Sequence, residues 1–250
     1  MSLFDNTNKN VAFDRNQGNQ NVQSTAFGSQ NEQAFDAQPP LAADTNKLIR
    51  NTYMLLSMTL FFSAGTAGIA MMTDMPPLGF IITLVGYFGL LFLTSYLQNS
   101  VWGLFSVFAL TGFMGLTLGP IINLYLERFV NGGELVMMAF GSTAVIFLSL
   151  SGYALTSRKD FSFMGGFLFV GILVAFLAGI GAVIFQLPGL SLAVSAMFVL
   201  LMSGLILYQT SEIVHGRETN YIMATVTLYV SIYNLFLSLL RLFGALMGQD

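Results

Sequence analysis

Two long stretches of this sequence contain no charged residue at all. They cover residues 75–126 and residues 161–211. A transmembrane α-helix needs about 20 consecutive apolar residues, so each stretch is long enough for two membrane-spanning helices. Only 8% of all residues are charged, against about 25% in an ordinary soluble domain. The sequence therefore predicts an all-α integral membrane protein.

Turn residues divide the apolar sequence into seven predicted transmembrane helices. Five dividing motifs are "TDMPP", "QNSVWG", "SRKD", "QLPG" and the polar stretch "SEIVHGRETN", and the sixth boundary is the charged stretch 126–134. The predicted spans are residues 52–72, 78–97, 101–125 and 135–156, the two parts of 161–211 on either side of 186–189, and residues 221–247. Pro120 has no backbone N–H to donate, which predicts a kink in the third helix. Asn123 lies close enough in the sequence to hydrogen-bond a backbone group that the proline leaves without a partner.

The first 45 residues differ in composition from the rest of the chain. They are rich in Asn and Gln and hold only isolated phenylalanines, so they lack the apolar surface that offsets the entropy of ordering. They contain no apolar core of a signal peptide. Asp44 or Thr45 is suited to cap the first helix. We therefore predict a disordered tail over residues 1–45 and a seven-helix transmembrane domain over residues 46–250.

Lys and Arg near the helix ends predict the orientation in the membrane. With the amino terminus inside, the inner loops hold Lys47, Arg50, Arg158, Lys159 and Arg217, and the outer ends hold Arg128 and Arg241. Cytoplasmic loops carry an excess of these residues. The pattern predicts a cytoplasmic tail and a periplasmic or external carboxyl terminus.

Polar residues form one stripe on the seventh predicted helix. They are Thr227, Ser231, Asn234 and Ser238, at steps of four, three and four, with Arg241 one turn further. Unsatisfied polar groups cost several kcal/mol in lipid, so this face must meet protein or a wet cavity. The stripe predicts that the last helix lies inside the bundle. It is compatible with packing between helices or with a path for water or ions.

Small residues recur four apart in three predicted helices. The pairs are Ala64 with Gly68, Gly115 with Gly119, and Ala175 with Gly179. This spacing allows two helix backbones to approach closely. We expect tight helix packing at all three pairs.

The polar stretch before the last helix holds the only histidine, His215, together with Glu212, Arg217 and Glu218. A single histidine cannot build a multi-histidine metal site, and the chain has no cysteine. The orientation places His215 in a cytoplasmic loop, away from any buried serine. We predict a solvated or structural histidine, no cofactor and no enzymatic activity. Scattered Lys and Arg with a net charge of -3 also argue against nucleic-acid binding.

Four separate motifs carry a family resemblance. "LIRNTYMLLSMTLFFSA", "LGPIINLYL", "LTSRKDFSFMGG" and "SEIVHGRETNYIMATVTLYVSIYNLFLSLL" occur in this order between Lys47 and the carboxyl terminus. They resemble the bacterial YccA-like branch of the Bax inhibitor-1 family, also called the transmembrane Bax-inhibitor-motif family. The resemblance implies seven transmembrane helices, with the last helix enclosed by the other six.

The same resemblance implies a function in the inner membrane. Members of this branch associate with the membrane-anchored AAA protease FtsH, modulate it and are slow substrates themselves. Another branch conducts calcium through an aspartate pair, whose positions match Gln209 and Ser231 here, and neither of these residues can titrate. We therefore expect an inner-membrane modulator of FtsH that acts as a slowly degraded competitor. The alternative is a channel or carrier for a cation, as in the calcium leak, or for a small solute.

Overall fold

The computed structural model describes residues 40–247, with side chains from Asp44 onward. Within this range the chain forms seven long helices, and each is long and apolar enough to cross a membrane. They are α1 (Pro40–Met72), α2 (Phe80–Leu97), α3 (Val101–Arg128), α4 (Gly132–Ser157), α5 (Gly165–Ile184), α6 (Pro188–Val214) and α7 (Tyr221–Met247). A short 3-10 turn, Ser162–Met164, precedes α5. The predicted number of spans is confirmed.

The first helix begins earlier than expected. It starts at Pro40, so Asp44 and Thr45 lie within the helix and do not cap its start. Proline is tolerated in a first helical turn because its missing N–H has no intrahelical acceptor there. The rest of the predicted tail, residues 1–39, lies outside the described residues.

The third helix passes through Pro120 without ending and continues to Arg128. We expected Asn123 to bond a backbone group freed by Pro120, and this prediction was wrong. Its Nδ2 atom donates a hydrogen bond to the Met71 carbonyl, 3.1 Å away, in the last turn of α1. The last carbonyls of a helix have no partner within the helix, so this bond satisfies one of them.

The seventh helix is the most buried of the seven. It packs against α3, α4 and α6, and Thr225 donates to the Thr52 carbonyl of α1 at 3.2 Å. Both of its faces are covered, since Ser231 on the polar stripe and Leu228 on the apolar side are each fully buried. The expected enclosure of the last helix is confirmed.

Helices α1 and α3 approach each other closely at two glycines of α3. An added Cβ at Gly115 would lie 2.0 Å from the Thr66 Oγ1 atom and 2.4 Å from the Ser63 carbonyl oxygen. At Gly119 it would lie 2.6 Å from the Ala70 Cβ atom. Only glycine therefore fits at these two positions, and close packing of this predicted pair is confirmed.

The other two small-residue pairs behave differently. Ala64 is exposed and a Cβ at Gly68 would meet nothing within 4 Å, so this prediction was wrong. The face of α1 that meets α3 contains Ser63. Since each residue turns a helix by about 100°, the next residue, Ala64, lies on a different face. In α5, Ala175 is fully buried, and a Cβ at Gly179 would make ordinary contact with Val194 of α6 at 3.6 Å.

Candidate functional site

The loops at one end of the bundle are joined by charged and polar side chains. Arg217 donates from Nη2 to Asp160 Oδ1 at 2.7 Å and from Nη1 to Oδ2 at 3.2 Å. Its Nε atom donates to Glu212 Oε1 at 2.8 Å. The loop after α4 is thereby fixed to the loop after α6. Sequence analysis missed Asp160 because it lies 57 residues from Arg217 in the chain.

This ion pair persists over the physiological pH range. The backbone N–H of Ser162 and the Arg217 guanidinium together lower the pKa of Asp160 to about 2. Because folding lowers this pKa, the ionised carboxylate stabilises the fold at pH values above its ordinary pKa of 3.8. This contribution is lost as the pH falls toward the lowered pKa. The loop contact therefore has no switching role near neutral pH.

His215 lies at the carboxyl end of α6 and is exposed. Its Nδ1 atom is 2.8 Å from the Ser211 carbonyl oxygen, so this nitrogen carries the proton and donates. The Ser211 hydroxyl in turn donates to the Lys159 carbonyl at 3.2 Å and accepts from the Phe161 N–H at 3.1 Å. An imidazole on a terminal helix carbonyl caps the helix, which is a structural role.

Asn220 is the second residue that joins these loops. Its Oδ1 atom accepts from the N–H groups of Ile222 and Met223, at 2.9 and 3.3 Å, and so caps the start of α7. Its Nδ2 atom donates to the Gln98 carbonyl after α2 at 3.1 Å. Glu218 accepts from the Asn220 N–H at 2.8 Å. An asparagine directly before a helix start is the sequence signal for this cap.

Three hydroxyls join helices α1, α4 and α6 inside the bundle. The Tyr53 hydroxyl is hydrogen-bonded to Ser151 and lies 3.3 Å from Thr210, and Ser151 lies 3.3 Å from Thr210. Both Ser151 and Thr210 are buried. No periodic pattern in the sequence reveals such a cluster, because its members lie on three different helices.

Gln209 is next to this cluster in the chain and is also buried. Its Nε2 atom is one of two buried side-chain nitrogen or oxygen atoms in the described part of the chain that have no hydrogen-bond partner. Ser231 is fully buried, and its hydroxyl donates to the Thr227 carbonyl of its own helix at 2.7 Å. Gln209 and Ser231 thus make no hydrogen bond to each other.

Two tyrosines of α7 hold the last helix to its neighbours. The Tyr229 hydroxyl is 2.6 Å from Ser63 of α1 and donates to the Thr111 carbonyl of α3 at 3.3 Å. The Tyr233 hydroxyl is 2.9 Å from Thr117 of α3. These contacts join helices, and sequence analysis missed them because it weighed only the polar stripe.

The polar stripe itself divides into two parts. Thr227 and Ser231 interact within α7, as described above. Asn234, Ser238 and Arg241 line a cavity of about 420 Å³ whose other walls come from α2, α3, α5 and α6. Arg241 donates from Nη1 to the Ser191 hydroxyl of α6 at 3.0 Å. The second half of the stripe thus faces open space within the protein.

Among the side chains that the structure describes, no group of three or more His, Asp or Glu residues is placed to hold a metal ion. The polar residues of the bundle are mainly hydroxyls and amides. Such groups can hold helices together, and they can bind a polar ligand in a cavity.

Comparison with known proteins identifies the family. The model of the family described as "Inhibitor of apoptosis-promoting Bax1" matches residues 45–248. This chain belongs to that Bax inhibitor-1 family. The match leaves out residues 1–44, which contain most of the Asn/Gln-rich tail.

Two relatives show how close the similarity is. The chain is 52% identical over 200 residues to "Modulator of FtsH protease YccA" of Escherichia coli K12, which covers 80% of this chain and 90% of that protein. It is 53% identical over 207 residues to "Uncharacterized protein PA2604" of Pseudomonas aeruginosa, which covers 83% of this chain and 93% of that protein. The resemblance to the YccA-like branch of the Bax inhibitor-1 family is confirmed.

In this Bax inhibitor-1 family member, Gln209 and Ser231 are the positions that we expect, from the resemblance of the motifs, to match the aspartate pair of the calcium-conducting branch. An amide and a hydroxyl cannot ionise, and the two side chains make no direct hydrogen bond. Two carboxylates that share a proton respond to pH, whereas this pair does not. Gln209 and Ser231 therefore cannot share a proton in the way that two carboxylates do.

Proposed function

We propose that this protein is a multi-pass inner-membrane protein that associates with FtsH and slows it as a slowly degraded competitor. The observation that carries the proposal is the 52% identity, over 90% of its length, to a protein named as a modulator of the FtsH protease. The Escherichia coli K12 relative is named as a modulator, which supports a role without enzymatic chemistry.

The helix contacts support slow degradation. A protease that pulls on one end must separate α1 from α3 at Gly115 and break the link between Ser63 and Tyr229. The hydrogen bonds from Arg217 to Asp160 hold together the loops that follow α4 and α6. Polar groups exposed to lipid during extraction cost several kcal/mol each, so unfolding meets a high barrier.

Association with FtsH is tested by co-isolation. A proteolytically inactive FtsH variant, purified from native membranes, is expected to retain this protein. Raising the level of the protein is expected to lengthen the half-life of a second FtsH substrate several-fold. An unrelated seven-helix protein raised to the same level serves as the control. Failure to co-isolate, or an equal effect of the control protein, would contradict the proposal.

The orientation is a second prediction. A reporter fused after Asp160 or Arg217 is expected to read as cytoplasmic, and one fused at Asp250 as external. The reason is the excess of Lys and Arg at the loops that contain Asp160 and Arg217. A cytoplasmic signal from the fusion at Asp250 would show that the proposed orientation is wrong.

The second candidate function is conduction of a cation or small solute, which the cavity beside Asn234 favours. We expect calcium flux through the reconstituted protein to be low and nearly constant from about pH 6 to about pH 8, because Gln209 and Ser231 do not titrate. The double substitution Gln209→Asp with Ser231→Asp is expected to introduce a pH dependence.

The matched control for this experiment is Gln209→Asn with Ser231→Asn, which has a similar shape but no ionisable group. It is expected to leave the flux constant with pH. A steep pH-dependent flux through the unchanged protein would contradict the prediction. It would direct attention to His215, the only histidine in the sequence.

A further inference from the structure

Two adjoining cavities lie between the last helix and the pair formed by α2 and α5. The first has a volume of about 420 Å³ and the second of about 530 Å³. They share four wall residues, Phe80, Phe176, Phe198 and Asn234, so they are neighbouring parts of one open space. Each volume falls within the range of sites that bind small molecules, about 300–1,000 Å³.

The walls of these cavities are mainly aromatic and aliphatic. Helix α2 packs on α3, helix α5 packs on α6, and α2 meets α5 where the rings of Phe88 and Phe176 lie 5.7 Å apart. Phe80, at the start of α2, is half exposed and lines both cavities. A space of this kind, which is open beside α2 and α5 on the outside of the bundle, suits an acyl chain from the bilayer.

The first cavity also carries a positive charge. Arg241 lies on its wall and is exposed, and neither of the salt bridges found within residues 44–247 involves it. Its hydrogen bond to the Ser191 hydroxyl uses one of five guanidinium donors. The remaining donors are available for a phosphate, which arginine binds in a bidentate manner.

Ser238 supplies a second polar group that points to a ligand. It lines the same cavity and is only 8% exposed. Its hydroxyl makes no hydrogen bond to any residue that the structure describes. This hydroxyl is accessible from the cavity, so it and the Arg241 guanidinium can both donate a hydrogen bond to a polar, anionic occupant.

We propose that the two cavities bind an anionic phospholipid. Its phosphate lies at Arg241 and Ser238, and one acyl chain extends along Phe176 and Phe198 into the second cavity. The site is independent of the proposed association with FtsH, since it needs only the described helices. It requires both a negative charge and a chain, so a free anion or a neutral lipid satisfies only half of it.

The binding test uses the full-length protein, purified in a neutral detergent and stripped of lipid. Native mass spectrometry and thermal unfolding are measured with phosphatidylglycerol, with phosphatidylcholine of the same chains, and with inorganic phosphate. Phosphatidylglycerol is expected to bind about tenfold more tightly than phosphatidylcholine, the size of effect that a charge-assisted hydrogen bond produces.

Two matched pairs of variants locate the site. Arg241→Gln keeps a donor for Ser191 but removes the charge, and it is expected to abolish the preference for the anionic lipid. Arg128→Gln, at the same end of the bundle but stacked on Phe129, is expected to keep it. Gly179→Leu fills the first cavity and is expected to weaken the binding of both lipids. Gly181→Leu, where a side chain enters open space on the same helix, is expected to leave the binding unchanged.

Arg241→Lys provides a check on folding, since it retains the charge and is expected to retain most of the lipid preference. Equal binding of the two lipids by the unchanged protein would overturn the proposal. The same holds if inorganic phosphate stabilises the protein as well as phosphatidylglycerol does, or if the preference survives Arg241→Gln.

Discussion

Replacing Gly115 by alanine is expected to destabilise the protein by about 1–3 kcal/mol, the usual cost of overpacking a tight contact. The new Cβ atom would lie 2.0 Å from Thr66 Oγ1 and 2.4 Å from the Ser63 carbonyl oxygen, so α1 and α3 must separate. Ser63 is also the hydrogen-bond partner of Tyr229, so the same movement weakens the hold on the last helix. Thermal unfolding in detergent measures the effect.

Gly68→Ala is the matched control, because it makes the same chemical change in α1 where a Cβ meets nothing within 4 Å. Alanine is the better helix former by roughly 1 kcal/mol, so this variant is expected to be neutral or slightly more stable. Equal unfolding temperatures for the two variants would show that the contact at Gly115 does not limit stability.

Deletion of residues 2–39 is expected to lengthen the half-life of the protein several-fold in cells that contain FtsH. The composition of residues 2–39 predicts a disordered chain, and a disordered chain of this length has a reach of roughly 30–40 Å, enough to extend to an ATPase ring on the same membrane. If FtsH engages this segment, its loss removes the point of attachment. The deletion removes none of the contacts described above. The helical bundle is therefore expected to remain folded and to co-isolate with FtsH.

A chain with residues 2–39 in scrambled order is the control for this deletion. It keeps the composition and the length, so it is expected to be degraded at the rate of the unchanged protein. Pulse-chase measurement of the three proteins gives the comparison. The competitor mechanism fails if the truncated protein disappears as quickly as the full chain.

The polar residues show where sequence analysis was sufficient and where it was not. The stripe from Thr227 to Arg241 correctly indicated an enclosed last helix, because its period places the residues on one face. It could not show that Ser231 bonds within its own helix while Ser238 and Arg241 face a cavity. That difference depends on which neighbouring helices approach and which leave a gap.

The sequence by itself determined the class, the seven spans and the family, since apolar length and ordered motifs are local properties of the chain. Only the tertiary structure decided that Ser63, and not Ala64, meets α3, and that Arg217 binds Asp160. A rotation of one helix by about 100° exchanges neighbouring residues between the packed and the lipid-facing sides. The rotation is set by the close contacts of all the helices together, and no single segment specifies it.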